Sequence, residues 1–169
     1  MKKIIFFAVL VIVFASCKKS SSGSPVNAIT VTINDTPYTF NQDIIDTTIY
    51  QSSDSTIVIA LEAKDVNLNT MIVAFGTKGG VPFKTGTYGL GDTTYLGEMG
   101  FEQPNNTTFS VLPPSPVSAP LTINVSSLST TFVQGTFKGT IYLNGDTTST
   151  SKKVVTNGTF SFTKPITVQ

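Results

Sequence analysis

The chain has 169 residues with no histidine, arginine or tryptophan, a single cysteine, 44 serines and threonines, and only 12% charged residues. These zeros exclude Ser-His-Asp and Cys-His catalysis, a histidine-ligated metal, a disulfide within the chain and an arginine clamp on phosphate. The formal charge is +1, and it becomes −1 if residues 1–16 are removed with Lys2 and Lys3, so the electrostatic footprint of a nucleic-acid binder is missing.

The N-terminus reads as an export signal. Lys2 and Lys3 form a positive start, and residues 4–15 are an unbroken apolar run of 12, IIFFAVLVIVFA. As a helix that run spans roughly 18 Å, too short for a hydrocarbon core of about 30 Å. It is the length of a signal-peptide core. The run ends in Phe14, Ala15, Ser16 and Cys17, and these four resemble a bacterial lipobox. The resemblance implies that the signal is cut before Cys17 and that Cys17 carries the acyl chains of a lipoprotein. Phe14 stands where Leu is usual. The alternative is plain secretion, with Val13 and Ala15 marking the cleavage site and Cys17 left as a free thiol. An unpaired exposed cysteine is unusual in an exported protein, which favours lipidation. Two or three acyl chains make a stable anchor.

Residues 18–27, KKSSSGSPVN, have no apolar periodicity. They read as a flexible tether with a reach of roughly 17 Å, and Lys18 and Lys19 suit lipid headgroups. By resemblance to lipoprotein sorting signals, the absence of Asp at position 18 implies the outer membrane. The lack of an acidic cluster after Cys17 implies its periplasmic leaflet rather than the cell surface. The expected organisation is a signal at 1–16, lipidated Cys17 and tether to 27, and one domain at 28–169.

From residue 28 onward, apolar residues alternate with polar ones. Ile29, Val31 and Ile33 are followed by Ile57, Ile59, Leu61 and Ala63, then by Met71, Val73 and Phe75. Phe109 and Val111 form a short run, Leu121, Ile123 and Val125 another. Val133, Phe137, Ile141 and Leu143 share a face with Gly135 and Gly139 between them, and Phe160 and Phe162 come last. Period two is the signature of half-buried strands. Turns are expected at Asn34 to Pro37, at Asn144, Gly145 and Asp146, and at Asn157 and Gly158. The reading is all-β, an antiparallel β-sandwich or barrel of about 8–11 strands, with the threonines on outward positions. Two regions break the pattern. Residues 76–100 hold eight of 13 glycines and read as a loop. Residues 113–120 hold four of nine prolines and read as a stiff connection between sheets or an edge cover.

Gly135, Thr136 and Phe137 recur as Gly158, Thr159 and Phe160, separated by Gly139 and a lysine-containing loop. With the lipobox and the hairpin signal Asn34, Asp35, Thr36, Pro37 and Tyr38, this resembles the small all-β lipoproteins common in Bacteroidetes. The resemblance covers the signal and about the last third of the chain well, and the middle loosely. That group has no established activity, so no catalytic or binding residue comes with it. The expectation from the residues as a whole is a non-catalytic envelope protein without cofactor or metal, held on the membrane and meeting an envelope protein or glycan.

Candidate sites are few. Phe83, Tyr88, Tyr95 and Phe101 could present rings beside Glu98 and Glu102, which would suit sugars or peptides. Most aromatics of a small β domain are core, so they are expected inside first and on a surface second. Glu98 and Glu102 are also the one pair worth testing as glycosidase carboxylates. Four residues along a strand puts them about 13 Å apart, beyond the roughly 5–10 Å that chemistry needs. A bulge at Gly100 would be required. Asp65, Asn67 and Asn69 mimic the opening of a calcium loop, but Thr70 and Gly76 stand where its glycine and glutamate belong. A small apolar ligand in a calycin-like barrel is the alternative to the non-catalytic reading, and a carboxylate hydrolase comes third. Finally, Asp46, Asp54, Asp92 and Asp146 are each followed by Ser or Thr and then Thr. This resembles the O-glycosylation acceptor motif of exported Bacteroidetes proteins and marks Thr47, Ser55, Thr93 and Thr147 as candidate acceptors. The local alternative is that Asp closes a turn and Thr opens a strand.

Overall fold

The structure is a computed structural model that describes residues 27–51, 55–89, 92–111 and 120–163, and of residues 46–51 the backbone alone. The signal, Cys17, the tether to residue 26 and residues 113–119 of the proline-rich stretch lie outside the described residues.

The strands are β1 (Ala28–Ile33), β2 (Thr36–Phe40), β3 (Gln42–Gln51), β4 (Thr56–Lys64), β5 (Thr70–Thr77), β6 (Gly86–Gly89), β7 (Tyr95–Glu102), β8 (Thr108–Val111), β9 (Leu121–Leu128), β10 (Val133–Leu143) and β11 (Lys152–Phe162). They hydrogen-bond in the order β2-β1-β11-β10-β9-β6-β7-β5-β4-β3, and β8 bridges β10 and β7. The molecule is therefore all-β, as the alternation demands. Strands β6, β7, β8, β10 and β9 close on themselves as a five-stranded barrel. Two wings extend from it, β11-β1-β2 from β10 and β5-β4-β3 from β7. Asn41 alone separates β2 from β3, and its N–H donates to the Lys64 carbonyl at 3.0 Å. The chain thus steps from the end of one wing to the end of the other at a single residue.

The wings bury their apolar alternates against each other. Phe75 of β5 stacks on Phe160 of β11 with ring centroids 6.0 Å apart, and Phe40 of β2 meets Phe101 of β7 edge-on at 6.3 Å. Ile29, Leu61, Val73, Ile123 and Ile141 complete the packing and are closed to water. Rings in such arrangements contribute about 0.5–1.5 kcal/mol per pair beyond the area they bury.

The repeated Gly-Thr-Phe is the centre of this core. Its two copies lie opposite one another in β10 and β11, Gly135 facing Phe160, Thr136 facing Thr159 and Phe137 facing Gly158. A Cβ on Gly158 would stand 2.6 Å from ring carbons of Phe137, and a Cβ on Gly135 would run into the Phe160 ring. Each phenylalanine therefore occupies the space the other strand's glycine leaves empty. The two rings lie 6.4 Å apart and nearly parallel, at 29°.

Two sequence expectations are corrected here. Asn157 and Gly158 do not make a turn; they lie inside β11. Phe137 pairs with Gly158 and Gly139 with Val155, so Lys138 faces two residues, Thr156 and Asn157. That is a bulge, with Asn157 at φ 52°. Val155 and Phe160 are five apart and would point to opposite faces of a regular strand. The bulge puts both in the core. Residues 76–100 are likewise not one loop. They contain β6 and most of β7; Gly76, Gly89 and Gly97 mark close approaches, while Gly79, Gly80 and Gly86 take positive φ in open space. A Cβ on Gly97 would stand 3.2 Å from the Gly89 nitrogen, where β6 and β7 meet in parallel, and one on Gly89 would lie 3.0 Å from the Leu121 carbonyl. Elsewhere the expected turns are present. Asn34 and Asp35, at φ 46° and 63°, form the two-residue hairpin loop between Ile33 and Thr36.

Gly158→Ala should lower the unfolding free energy by about 3 kcal/mol or more, the upper end of overpacking costs. Gly100→Ala should stay within about 0.5 kcal/mol, because its Cβ would meet Ile72 at an ordinary 3.8 Å. Chemical denaturation of the two variants checks the contrast.

Candidate functional site

The six residues of the expected aromatic and acidic surface fall in three places. Tyr88 and Phe101 are core, 1% and 2% exposed, so their rings present no face to a ligand. Phe83 and Tyr95 are half-buried at the core margin, Phe83 edge-on to Phe75 at 6.1 Å and Tyr95 edge-on to Tyr88 at 5.5 Å. The Tyr88 hydroxyl donates to the Lys84 carbonyl at 2.7 Å, and burial raises its pKa. Lys84 Nζ lies 4.4 Å from the Tyr95 ring centre. Hydrogen bonding to the Tyr95 hydroxyl raises the Lys84 pKa. This cluster closes one end of the core.

Glu98 and Glu102 stand on the opposite, outer face of β7. With Ile72, Gly100, Thr108 and Ser110 they line a groove of about 250 Å³. Its floor is Gly100, which supplies no side chain between the two carboxylates. Register between β5 and β7 runs unbroken from Thr70 and Glu102 to Thr77 and Tyr95, so no bulge shortens the carboxylate separation. It stays near the roughly 13 Å of regular strand geometry. Burial alone raises the Glu98 pKa.

The loop at 65–69 is a hairpin connection closed on itself. Asp65 Oδ1 accepts the N–H groups of Asn67 and Asn69 at 2.8 and 2.9 Å, and Oδ2 accepts the Asn69 side-chain amide at 2.8 Å. Both Asp65 carboxylate oxygens are committed to the loop itself. No group of three or more His, Cys, Asp or Glu side chains able to hold a metal stands among the described residues.

Among the candidate acceptor residues, Thr93 and Thr147 sit in equivalent turns. Asp92 Oδ1 accepts the N–H groups of Thr94 and Tyr95, and Asp146 Oδ1 accepts the N–H and hydroxyl of Thr148. These bonds lower both carboxyl pKa values. In each turn the second threonine is tied to the aspartate, and the first sits between them. Ser55 is half-buried at φ 52° beside Thr56, the first residue of β4. Thr47 lies in the middle of β3 and pairs with Ala60; its side chain is outside the described residues.

The surface that sequence reasoning did not single out is the outer face of the β10 half. Directly paired residues form a continuous rung, Thr39 to Thr30, Thr30 to Thr159, Thr159 to Thr136, Thr136 to Asn124 and Asn124 to Thr87. It crosses β2, β1, β11, β10, β9 and β6. The hydroxyls of Thr30 and Thr159 are hydrogen-bonded at 2.7 Å. Beside this rung lies a concavity of about 570 Å³ lined chiefly by Thr122, Asn124, Thr136, Lys138, Asn157 and Thr159. Asn157, at the bulge, is part of its lining. The signal was present in the sequence as polar alternates of the strands. Which alternates would line up across six strands depended on register.

No protein-family model, curated protein or solved structure matches the chain.

Burial raises the Glu98 pKa above its unfolded value, so the folded state holds that proton more tightly. Its contribution therefore favours the fold at acid pH and fades as pH rises through the folded-state pKa. Glu98→Gln should raise the melting temperature at pH 7, by about 2 °C, and the gain should vanish by about pH 4. Thermal melts across that range check both sign and window.

Proposed function

We propose that the protein is a non-catalytic, lipid-anchored component of the cell envelope, held by Cys17 on the periplasmic leaflet of the outer membrane. Its β domain acts in binding, adhesion or envelope structure. The observation that carries the anchor is the placement of the chain's one cysteine. Cys17 directly follows a 12-residue apolar run and the small residues Ala15 and Ser16. The resemblance to Bacteroidetes lipoproteins supports the same reading.

The polar rung and its concavity support a binding role. Threonine hydroxyls, the Asn124 and Asn157 amides and the Lys138 ammonium offer donors and acceptors in a fixed strand register. An envelope glycan or an extended polypeptide is the partner such a face suits, because both present repeated hydroxyl or amide groups. The filled core supports this over a carrier for a small apolar ligand: Phe75, Tyr88, Phe137 and Phe160 occupy the space between the wings. Thr93 and Thr147 are proposed as glycan acceptors. Intact mass of protein from its native host should exceed that of the lipoprotein alone, and an equal mass rejects the modification.

Cys17→Ala should abolish fatty-acid labelling and release the protein from the membrane fraction. A Cys17→Ala protein that still sediments with membranes would contradict the anchor. Crosslinked capture from native cells should then recover a partner with the wild type and lose most of it with Asn124→Ala and Lys138→Ala combined. Equal recovery would move the binding site off this face.

A further inference from the structure

Two five-residue loops stand side by side at one rim of the domain. Loop 65–69 joins β4 to β5, and loop 103–107 joins β7 to β8. Thr70 pairs with Glu102 at their bases. Their backbones close in the same way. The Asp65 N–H donates to the Asn69 carbonyl and the Leu68 N–H to the Asp65 carbonyl. The Gln103 N–H donates to the Thr107 carbonyl and the Asn106 N–H to the Gln103 carbonyl. Both fourth positions are left-handed, with φ 63° at Leu68 and 61° at Asn106. Asparagine is a usual occupant of that conformation and leucine is not.

Loop 65–69 therefore carries a strained leucine where its twin carries the suited residue. The leucine gains no burial in return. Leu68 is 59% exposed and Val66, two residues earlier, is 73% exposed. The Asp65 carboxylate, itself buried, holds the loop that displays them. Nothing in the fold requires two apolar side chains at this tip.

The tip lies where the tether leaves the domain. Ile29 pairs with Phe40, which places Ala28 beside Asn41, and Asn41 is bonded to Lys64. Lys64 is the residue before the loop. About two strand spacings, roughly 10 Å, separate the start of the domain from the base of the tip. Ten residues lie between Cys17 and Ala28, so an anchored Cys17 holds this rim within reach of the bilayer.

We propose that Val66 and Leu68 form a second membrane contact, entering the interfacial layer of the bilayer that carries the lipid anchor. The proposal rests on the anchor reading above. An acyl anchor confines the tip to the membrane surface, so a contact too weak to bind alone is made by effective concentration. The consequence is a fixed orientation. The rim with loop 65–69 faces lipid, and the opposite ends of β4, β5 and β7 point away from it.

The test uses the full acylated protein in vesicles of phosphatidylethanolamine and phosphatidylglycerol. Cys17 is the natural chain's only cysteine, so acylated wild type should take up no thiol label and should float with the vesicles. Label uptake by a wild type that does not float would mean the anchor reading has failed, and the tip proposal falls with it. With the anchor established, a nitroxide is placed on Val66→Cys or on Thr93→Cys, the latter exposed at the far end of β7. The label at 66 should be several-fold more accessible to oxygen, relative to a water-soluble nickel chelate, than the label at 93. Adding Leu68→Asn to Val66→Cys should shrink that contrast without lowering the melting temperature. Equal nickel accessibility at 66 and 93 on floating protein would overturn the proposal and leave the anchor intact. Shielding of position 66 from both reagents would also overturn it, because that is the signature of a protein partner.

Discussion

The fold depends on one reciprocal exchange of volume. In β10 and β11 each Phe fills the space above the other strand's Gly, Phe160 over Gly135 and Phe137 over Gly158. This pairing is selective in register. A slip of one residue would take each ring off its glycine and put Phe137 and Phe160 on opposite faces of the sheet, so one of them would turn outward. Around it the rest is arranged. Phe160 stacks on Phe75 and so ties the two wings together. The bulge at Asn157 keeps Val155 on the same side as Phe160. The threonine pair between the glycines and rings, Thr136 and Thr159, is thereby fixed on the outer face as part of the polar rung.

Core and surface are thus two readings of the same strands. Inward positions pack rings against missing side chains, and outward positions place hydroxyls and amides in line across six strands. The concavity beside the rung is lined in part by Asn157, the residue at the β11 bulge. The same bulge keeps Val155 and Phe160 both in the core. The other half of the molecule differs. Its outer groove is floored by Gly100 and flanked by Glu98, whose carboxyl burial makes harder to ionise.

Much of the strand content was legible because period-two alternation is a local property. Ile29, Val31 and Ile33, or Leu121, Ile123 and Val125, need no partner to declare which way they face. The region 76–100 was misread because it mixes glycines that serve positive-φ backbone, Gly79, Gly80 and Gly86, with glycines that answer to contacts with other strands. Gly89 is small because the Leu121 carbonyl lies beside it, and Gly97 because β6 crosses there. Asn157 and Gly158 were misread for a related reason. The left-handed asparagine that makes a turn also makes a bulge, and only the partner strand distinguishes them. The preferred reading of the rings as core holds for Tyr88 and Phe101, and the surface reading of those two does not. Tyr88 and Phe101 face inward, while Glu98 and Glu102 face out. The polar rung could not be read at all without register, since its members come from six strands spread from Thr30 to Thr159.

The central claim is that ring and glycine are coupled across β10 and β11. A double-mutant cycle of Gly135→Ala and Phe160→Leu, read by chemical denaturation, tests it most directly. Shortening the ring removes its share of the clash with the new methyl group, while the equally close Asn124 carbonyl remains. The account predicts that the cost of Gly135→Ala falls by about 1 kcal/mol or more in the Phe160→Leu background. Additive costs, agreeing within about 0.3–0.5 kcal/mol, would contradict it.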